Sequence, residues 1–229
     1  MPVPNEPRPP RETGPKAERT RVTILKAAER AFAEHGYAAT RLEDVAALVG
    51  IRRASIVYYF RDKRELYDAV LGDIYGELLD RYRSALSAAV PLPEQVEAVV
   101  NAWVDCVAGR PTVARLLLWE AADGSRTRAA AAAGRGDTVL STVSDAIEEG
   151  QRQGLFHPID PIHFIFTIVG ATVFLVAATP RIAPDRFFDP TSPEQVEAHR
   201  NQLLEICRRL LGTGDAAPKS GTRDESSPC

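Results

Sequence analysis

The sequence has few of the residues that disulfide-stabilised and metal-binding proteins need. Its 229 residues include three cysteines, and Cys106, Cys207 and Cys229 are too few and too far apart for a disulfide framework. Of the four histidines, His157 and His163 are six residues apart with a proline between them, which is poor spacing for two metal ligands on one helix. We therefore expect no metal site and no cofactor.

Motifs of catalysis and of export are missing as well. The sequence has no Gly-rich phosphate-binding loop and no GxSxG nucleophile motif, so we do not expect an enzyme. No apolar segment follows the proline- and arginine-containing start, as a signal peptide would require, and a cytoplasmic protein is the simplest expectation. The sequence shows no internal repeat and no segment with the two-residue period of a β-strand.

Charge is distributed unevenly along the chain. Residues 1–66 contain thirteen Lys and Arg against nine Asp and Glu, whereas residues 67–229 contain fifteen against twenty-two. The chain is 45% hydrophobic and long enough to bury a sizeable core in one or two domains. A basic N-terminal region joined to an acidic remainder suits one region that binds phosphate backbones and another with a different task.

The stretch from Thr40 to Phe60 has the pattern of two short helices joined by a tight turn. Thr40 is a favourable N-cap, and Glu43 three residues later completes a capping box. Gly50 stands at the position where a residue in the left-handed backbone conformation would end the first helix. Ile56 is expected on the inner face of the second helix. The outer face of that helix carries Arg52, Arg53, Ser55, Tyr58 and Tyr59. A helix-turn-helix of this composition is suited to a DNA major groove.

This region resembles the N-terminal domain of TetR-type (tetracycline-repressor family) transcriptional regulators. The matching residues are Ala39-Thr40, Gly50-Ile51, Tyr58-Tyr59-Phe60 and Lys63. The match covers roughly the first third of the chain. It implies an all-α fold, in which an N-terminal three-helix domain with the helix-turn-helix precedes a C-terminal helical domain for ligand binding and dimerisation.

Two positions depart from the family pattern. Val57 stands where a tyrosine is common, so one contact to a phosphate or a thymine methyl is lost or replaced by an apolar contact. Arg52 stands where a small residue, often serine, usually caps the recognition helix. The predicted first residue of the recognition helix can therefore differ by one position. The expected partner of Arg52 is either a phosphate or a base.

The resemblance assigns two sets of contacts to double-stranded DNA. The phosphate contacts are those of Thr40, Ser55, Tyr59 and Lys63. The base contacts are those of Arg52, Arg53 and Tyr58, with Arg41 and Glu43 near the edge of the groove. Because an arginine can donate two hydrogen bonds to guanine, worth roughly 1–3 kcal/mol of discrimination, we expect guanines in the half-site.

Composition and spacing divide the chain into four segments. These are a disordered arm over residues 1–16, a DNA-binding domain over 17–64 with the helix-turn-helix at about 40–60, a helical body over 65–211 and a disordered tail over 212–229. The first helix is predicted from about Glu18 to His35, and a helix from Lys63 to about Ala89 leads into the body. Further helices are predicted over residues 93–108, 111–123, 126–153, 162–178 and 193–211.

Residues 162–178 are apolar nearly all round. The segment falls short of the roughly 20 residues that span a membrane, so we expect no membrane partner but a helix buried between its own body and a second subunit. The resemblance implies a homodimer in which this helix and the preceding one form a four-helix bundle with the partner, and Gly170 and Ala171 would allow close approach. The expected interface residues are Val139, Val143, Ile147, Ile165, Val169 and Val173.

We expect a pocket for a small apolar effector among the large apolar residues of the body. For each of these residues taken singly, the alternative is an ordinary place in the hydrophobic core. These residues are Trp103, Leu117, Trp119, Phe166 and Phe174. The combined expectation is a homodimeric repressor that a small molecule releases from an inverted-repeat operator. Two alternatives stay open: a ligand-independent regulator or activator of the same fold, and a helical small-molecule-binding protein or enzyme with an incidental helix-turn-helix.

Overall fold

The computed structural model describes residues 14–123, 138–182 and 188–213, and every regular element in these ranges is an α-helix. The helices are α1 (Pro15–Ala39), α2 (Leu42–Val49), α3 (Arg53–Tyr59), α4 (Lys63–Leu86), α5 (Leu92–Gly109), α6 (Thr112–Asp123), α7 (Val139–Arg152), α8 (Pro161–Ile182) and α9 (Pro193–Leu211). The predicted all-α fold is confirmed. The predictions for residues 1–13, 126–137 and 214–229 lie outside the described residues.

Several helix boundaries differ from the sequence signals, among them the start of α1, the end of α4 and the end of α8, which continues to Ile182. α1 begins at Pro15 rather than near Glu18, because proline is favourable in the first turn, where its missing N–H has no helical partner. α4 ends at Leu86, before the predicted end at Ala89, and the N–H of Ser87 there donates to the carbonyl of Arg83.

The first three helices form a small bundle, called the head here. Its core consists of apolar side chains that are almost completely buried: Ile24, Ala28, Phe32, Val45, Ile56 and Phe60. α1 is bent at Gly36, whose φ of 75° and ψ of 170° lie in a region that only glycine adopts readily. This bend directs the chain into α2.

The start of α2 differs from the prediction. The N-cap is Arg41 rather than Thr40, and the main-chain N–H of Arg41 donates to Asp44 Oδ2 at 3.0 Å. The capping carboxylate is therefore that of Asp44 and not that of Glu43. Thr40 is buried, and its hydroxyl donates to carbonyl groups of α1. A threonine between two helices can serve either of them, and here its hydroxyl donates to carbonyls near the bend of α1 rather than accepting from an N–H of α2.

α4 connects the head to the body, which comprises α5 to α9. It packs against α1, α5 and α7, while α6 contacts both α1 and α8. One continuous apolar core runs through head and body. Large side chains that are almost fully buried outside the head include Tyr67, Leu66, Leu71, Trp103, Leu116, Ile147, Phe164 and Leu203.

α8 is apolar on all sides, but only part of its surface is buried within one chain. Phe164 and Ile168 face the body, whereas Phe166 and Phe174 are 61% and 59% exposed. The segment Pro161–Thr179 is long and apolar enough to cross a membrane, with a mean hydropathy of 2.1, and 33% of it is buried. α8 therefore has one face committed to the core and one apolar face that is open.

The six residues predicted for the dimer interface pack wholly or partly against the core of this chain, and their contact with a partner subunit stays a prediction. Val143, Ile147 and Val173 are buried, and the other three (Val139, Ile165 and Val169) are partly buried against the same core. The face of α8 could not be read from the sequence, because a helix that is apolar all round has no polar stripe to mark its outer side. The exposed face of α8 is formed by Ile162, Phe166, Gly170, Ala171 and Phe174.

Candidate nucleic-acid interface and ligand cavity

The second helix of the helix-turn-helix, α3, is anchored by its inner face. Ile56 is fully buried, and Phe60, directly after the helix, is 2% exposed. At the other end Arg52 is the N-cap and Arg53 the first helical residue, and both are exposed. Two guanidinium groups therefore reach solvent from the free end of a helix whose position is otherwise fixed, as contacts to DNA require.

Arg53 is oriented by an ion pair within the helix-turn-helix. Its Nε lies 2.8 Å from Glu43 Oε1, and each side chain is 60% exposed. An exposed pair of this kind contributes little to stability. It does align the arginine while leaving its terminal nitrogens able to donate to a base edge.

Tyr58 and Tyr59 follow on the same helix, half-buried, with ring centroids 5.2 Å apart. Their planes are nearly perpendicular, at 88°. Six of the residues predicted to contact DNA are thus at least partly exposed on the helix-turn-helix: Arg41, Arg52, Arg53, Ser55, Tyr58 and Tyr59.

Thr40 and Lys63 differ, because their polar atoms are engaged inside the protein. Thr40 Oγ1 donates to the carbonyl oxygens of Gly36 at 2.8 Å and Ala31 at 3.1 Å. Lys63 Nζ donates to three carbonyls of residues 37–40, at 2.8, 3.1 and 3.0 Å. An ammonium group has three donors, so all of them are used to tie the start of α4 to the end of α1. In this arrangement both side chains hold the turn that presents α2.

A cavity of about 440 Å³ lies in the body, with walls from α4, α5, α6, α7 and α8. Three of the five predicted pocket residues, Trp103, Leu117 and Phe166, line it. Two glycines one turn apart on α4, Gly72 and Gly76, also line it, and a Cβ added at either would meet no atom within 4 Å. The volume is within the range of about 300–1,000 Å³ that is usual for small-molecule sites.

The other two predicted pocket residues do not line this cavity. Trp119 lies between α6 and α1, where its Nε1 donates to the carbonyl of Ala33 at 3.2 Å and its ring covers Gly36. Phe174 lies on the exposed face of α8. Residue type identified the large apolar side chains of the body, but only the packing decides which of them border the empty space.

The polar groups of the cavity wall are few and uncharged. Among the described residues, no Asp, Glu, Lys, Arg or His lines the cavity. Burial raises the pKa of Tyr75 to about 12, with a further contribution from the Glu120 carboxylate, and burial also raises the pKa of Tyr82. Both residues line the cavity and stay neutral phenols at physiological pH. The cavity is therefore suited to an apolar molecule that accepts or donates a hydrogen bond.

Comparison with known proteins assigns both parts of the chain to one family. Residues 24–70 match the family model described as "Bacterial regulatory proteins, tetR family". Residues 93–207 match the model described as "Tetracyclin repressor-like, C-terminal domain". The chain belongs to the TetR family. It is a DNA-binding transcriptional regulator, and the resemblance of its helix-turn-helix is confirmed.

Similar TetR-family proteins align over most of their length. The HTH-type transcriptional regulator RutR of Escherichia coli (strain K12) is 29% identical over 194 residues, which are 83% of this chain and 88% of RutR. The HTH-type transcriptional repressor SCO4008 of Streptomyces coelicolor is 27% identical over 195 residues, 85% of this chain and 96% of that protein.

Solved structures agree with the TetR fold. The fatty acid degradation regulator FadR from Bacillus halodurans has a TM-score of 0.64 at 22% identity, over 84% of this chain and 96% of its own. FadR from Bacillus subtilis in complex with stearoyl-CoA has a TM-score of 0.64 at 19% identity, over 81% and 96%. At these identities the likeness establishes the fold alone.

An ion-pair cluster that no sequence pattern revealed joins the TetR head to the body. Arg110, after the end of α5, lies 2.6 Å from Glu29 of α1 and 2.7 and 2.9 Å from Asp73 and Glu77 of α4. Thr112 also donates a short hydrogen bond to Glu29. Glu29 is 5% exposed, and a carboxylate so deeply buried persists only with partners. In the sequence, the burial of Glu29 is indicated only by its position, one helical turn after the buried Leu25 of α1.

α4 of this TetR protein borders both the cavity and this cluster. Gly72 and Gly76 face the cavity, while the next residues, Asp73 and Glu77, bind Arg110. Since Lys63 at the start of the same helix holds the turn before α2, a displacement of α4 at the cavity would act on contacts at the head.

Proposed function

We propose that this protein is a homodimeric repressor that binds an inverted-repeat operator and is released when a small molecule enters the cavity. The observation that carries the proposal is that α4 borders the cavity and also contacts the head. A ligand with a higher affinity for a conformation in which α4 is displaced would increase the population of that conformation. In it, the separation of the two heads would no longer match the spacing of the operator half-sites. The size of the response depends on the difference in ligand affinity between the two states.

We infer that residues 17–64 bind DNA and that residues 65–211 bind the effector and the partner subunit. The boundaries of the two family matches, 24–70 and 93–207, support this division. The Arg110 cluster would then lie at the junction of the two functions, with Glu29 on the DNA-binding side.

On DNA, α3 would enter the major groove. The exposed Arg52 and Arg53 and the neighbouring Tyr58 would meet base edges, and Arg41 would lie at the edge of the groove. Ser55 and Tyr59 would bind phosphates. For Thr40 and Lys63 we propose a supporting role instead of the phosphate contacts that the sequence suggests, because their donors already bind main-chain carbonyls.

The dimer would form through the exposed face of α8, with α7 beside it. Phe166 and Phe174 are large apolar side chains that a monomer would leave in water. At Gly170 between them an added Cβ would meet nothing within 4 Å, so a partner helix could come close. A second copy is a better cover than a membrane, because the opposite face of the same helix belongs to the protein core. The cytoplasm is the corresponding location.

The cavity favours a ligand-responsive repressor over a ligand-independent regulator, whose body would be expected to be filled. An enzyme would need convergent titratable groups, and the described lining residues supply none that is ionised at neutral pH. SCO4008 is named a transcriptional repressor, and FadR from Bacillus subtilis was solved with stearoyl-CoA, which supports the repressor and small-molecule parts of the proposal.

Selection of binding sites from random duplex DNA with the purified full chain tests the operator. We expect an inverted repeat with guanines in each half-site. A selected site without two-fold symmetry would contradict the proposal.

Light scattering tests the dimer. Phe174→Glu on the exposed face of α8 should shift the mass from dimer to monomer. Leu155→Glu, at another exposed apolar side chain outside α8, should leave the dimer intact. A monomeric wild-type protein, or a dimer that survives Phe174→Glu unchanged, would contradict the assigned interface.

A further inference from the structure

We infer that the cavity takes an uncharged, predominantly apolar ligand with a hydrogen-bond acceptor and discriminates against carboxylates, phosphates and quaternary ammonium ions. The regulatory meaning of this inference rests on the proposed function, whereas its chemistry rests on the cavity wall.

The described residues of the wall offer no counter-ion to a charged ligand. No described lining residue carries a formal charge at neutral pH. Outside the lining residues, the carboxylate of Glu120 contributes to the raised pKa of Tyr75 and accepts a hydrogen bond from Tyr67 Oη at 2.5 Å. An anion in the cavity would be desolvated near this negative charge, and a cation would lose its hydration without gaining an ion pair in the wall.

The α4 side of the cavity carries a hydroxyl group without a partner among the described residues. In the described ranges no hydrogen bond involves the hydroxyl of Tyr82, which lines the cavity. Because this donor would lose its hydrating water when an apolar ligand enters, an acceptor on the ligand would keep it hydrogen-bonded. A ketone, ester, ether or phenol has such an acceptor.

This ligand class differs from that of a structural neighbour. The stearoyl-CoA bound to FadR from Bacillus subtilis combines an apolar chain with charged phosphates. Phosphates are usually held by arginine, lysine or a helix N-terminus. The described cavity wall of this chain has no arginine or lysine, so the shared fold does not imply a shared ligand.

Displacement of an uncharged fluorophore tests the ligand class. N-phenyl-1-naphthylamine is titrated into the full chain, and bound fluorophore is then displaced with 2-undecanone, undecanoate or decyltrimethylammonium. The ketone should displace the fluorophore at a concentration at least about 30-fold lower than either ion, because burial of an unpaired charge costs several kcal/mol. An ion that competes as well as the ketone would overturn the inference, including the case of an amphiphile that keeps its charged end in solvent.

Two variants locate the binding site. Gly76→Leu and Gly72→Leu place a side chain in the empty space and should weaken fluorophore binding by at least about tenfold. Neither should unfold the protein, since leucine is a better helix former than glycine. Gly109→Leu is the matched control, because an added Cβ there also meets nothing and the residue does not line the cavity. Unchanged binding in both α4 variants would overturn the site.

Tyr82→Phe tests the acceptor. It removes the phenolic O–H and should reduce the affinity for 2-undecanone by about 3–10-fold, the effect of one net hydrogen bond. Its melting temperature is measured alongside, so that loss of fold is distinguished from loss of the donor. An affinity for the ketone equal to that of the wild type, in a folded variant, would overturn the assignment of this donor.

Operator binding is followed in parallel, so that the two proposals can fail separately. If the ketone binds in the cavity without changing operator affinity, the ligand class stands and release by an effector is wrong. If an ion releases the operator and the ketone does not, the repressor mechanism stands and the ligand class is wrong.

Discussion

Arg110 Nη2 lies 2.6 Å from Glu29 Oε2, and this contact joins the body of the protein to the first helix of the head. The two residues are 81 positions apart in the chain. Arg110 also binds Asp73 and Glu77 of α4, the helix that borders the cavity. The pair therefore connects the two parts whose relative position a repressor has to control.

Removing Arg110 should destabilise the protein. In Arg110→Ala the buried Glu29 loses its ion-pair partner, and we expect the free energy of unfolding to fall by about 2–4 kcal/mol. The figure is below that of a fully buried pair, because the Arg110 side chain is 24% exposed. Urea denaturation followed by circular dichroism measures it.

The control for this prediction is Arg209→Ala. Arg209 pairs with Glu205 one turn away, but it is 77% exposed, so its loss should change stability by less than about 0.5 kcal/mol. Equal effects of the two substitutions would show that the Arg110 cluster is not a structural junction.

Replacing Gly36 should be costly, whereas replacing Gly72 should be favourable. At Gly36 the backbone has φ of 75°, and an added Cβ would stand 3.2 Å from the ring of Trp119. Gly36→Ala should therefore lower the free energy of unfolding by about 1–3 kcal/mol. Gly72→Ala, in a helix and without neighbours within 4 Å, should raise it by up to about 1 kcal/mol. Thermal unfolding distinguishes the two, and a stabilising Gly36→Ala would contradict the role of the bend.

The helix-turn-helix could be predicted from the sequence because its signals are local. Gly50 adopts the left-handed conformation that its position required, with φ of 73°, and Ile56 is buried as its spacing indicated. The engagement of Thr40 and Lys63 could not be predicted in the same way. It depends on the bend of α1 and on the start of α4 meeting at one place.

The body was less predictable than the head, for two physical reasons. α8 is apolar all round, so periodicity could not distinguish the face that covers the cavity from the face that is exposed. The junction of Glu29 and Arg110 joins residues far apart in sequence, and neither has a motif. The large apolar residues were identified by type, but only the packing separates Trp103 in the cavity wall from Trp119 at the head.

Lys63 should stabilise the fold rather than neutralise a phosphate of the DNA. Lys63→Met removes three hydrogen bonds to carbonyls and should lower the free energy of unfolding by about 1.5–3 kcal/mol. It should weaken operator binding without changing the slope of log affinity against log salt concentration. A lysine that neutralises a phosphate would reduce that slope by about 1, and this result would return Lys63 to the DNA interface. Arg64→Ala, at an exposed neighbouring side chain, is the control for stability.

His199 should make the protein less stable as the pH falls. Burial lowers the pKa of His199, whose Nε2 lies 3.0 Å from Thr172 Oγ1. The unfolded chain, with a histidine pKa of about 6.5, then binds the proton at a higher pH than the folded chain does, so stability is lost below about pH 6.5. His199→Gln should flatten this dependence in urea unfolding between pH 7.5 and 5.5. A His199→Gln profile that matches the wild type would contradict the prediction.

The measurement that tests the central claim most directly is fluorescence anisotropy of a labelled duplex carrying the selected inverted repeat. It is made at two salt concentrations with the wild type, with the double variant Arg53→Ala, Tyr59→Ala, and with Arg209→Ala as the control. For a regulator that reads DNA with α3, we expect saturable binding with one dimer per duplex and a steep salt dependence. The control should retain this binding, and the double variant should lose at least about 100-fold in affinity. Equal and weak binding of all three proteins to any duplex would contradict site-specific recognition through this helix.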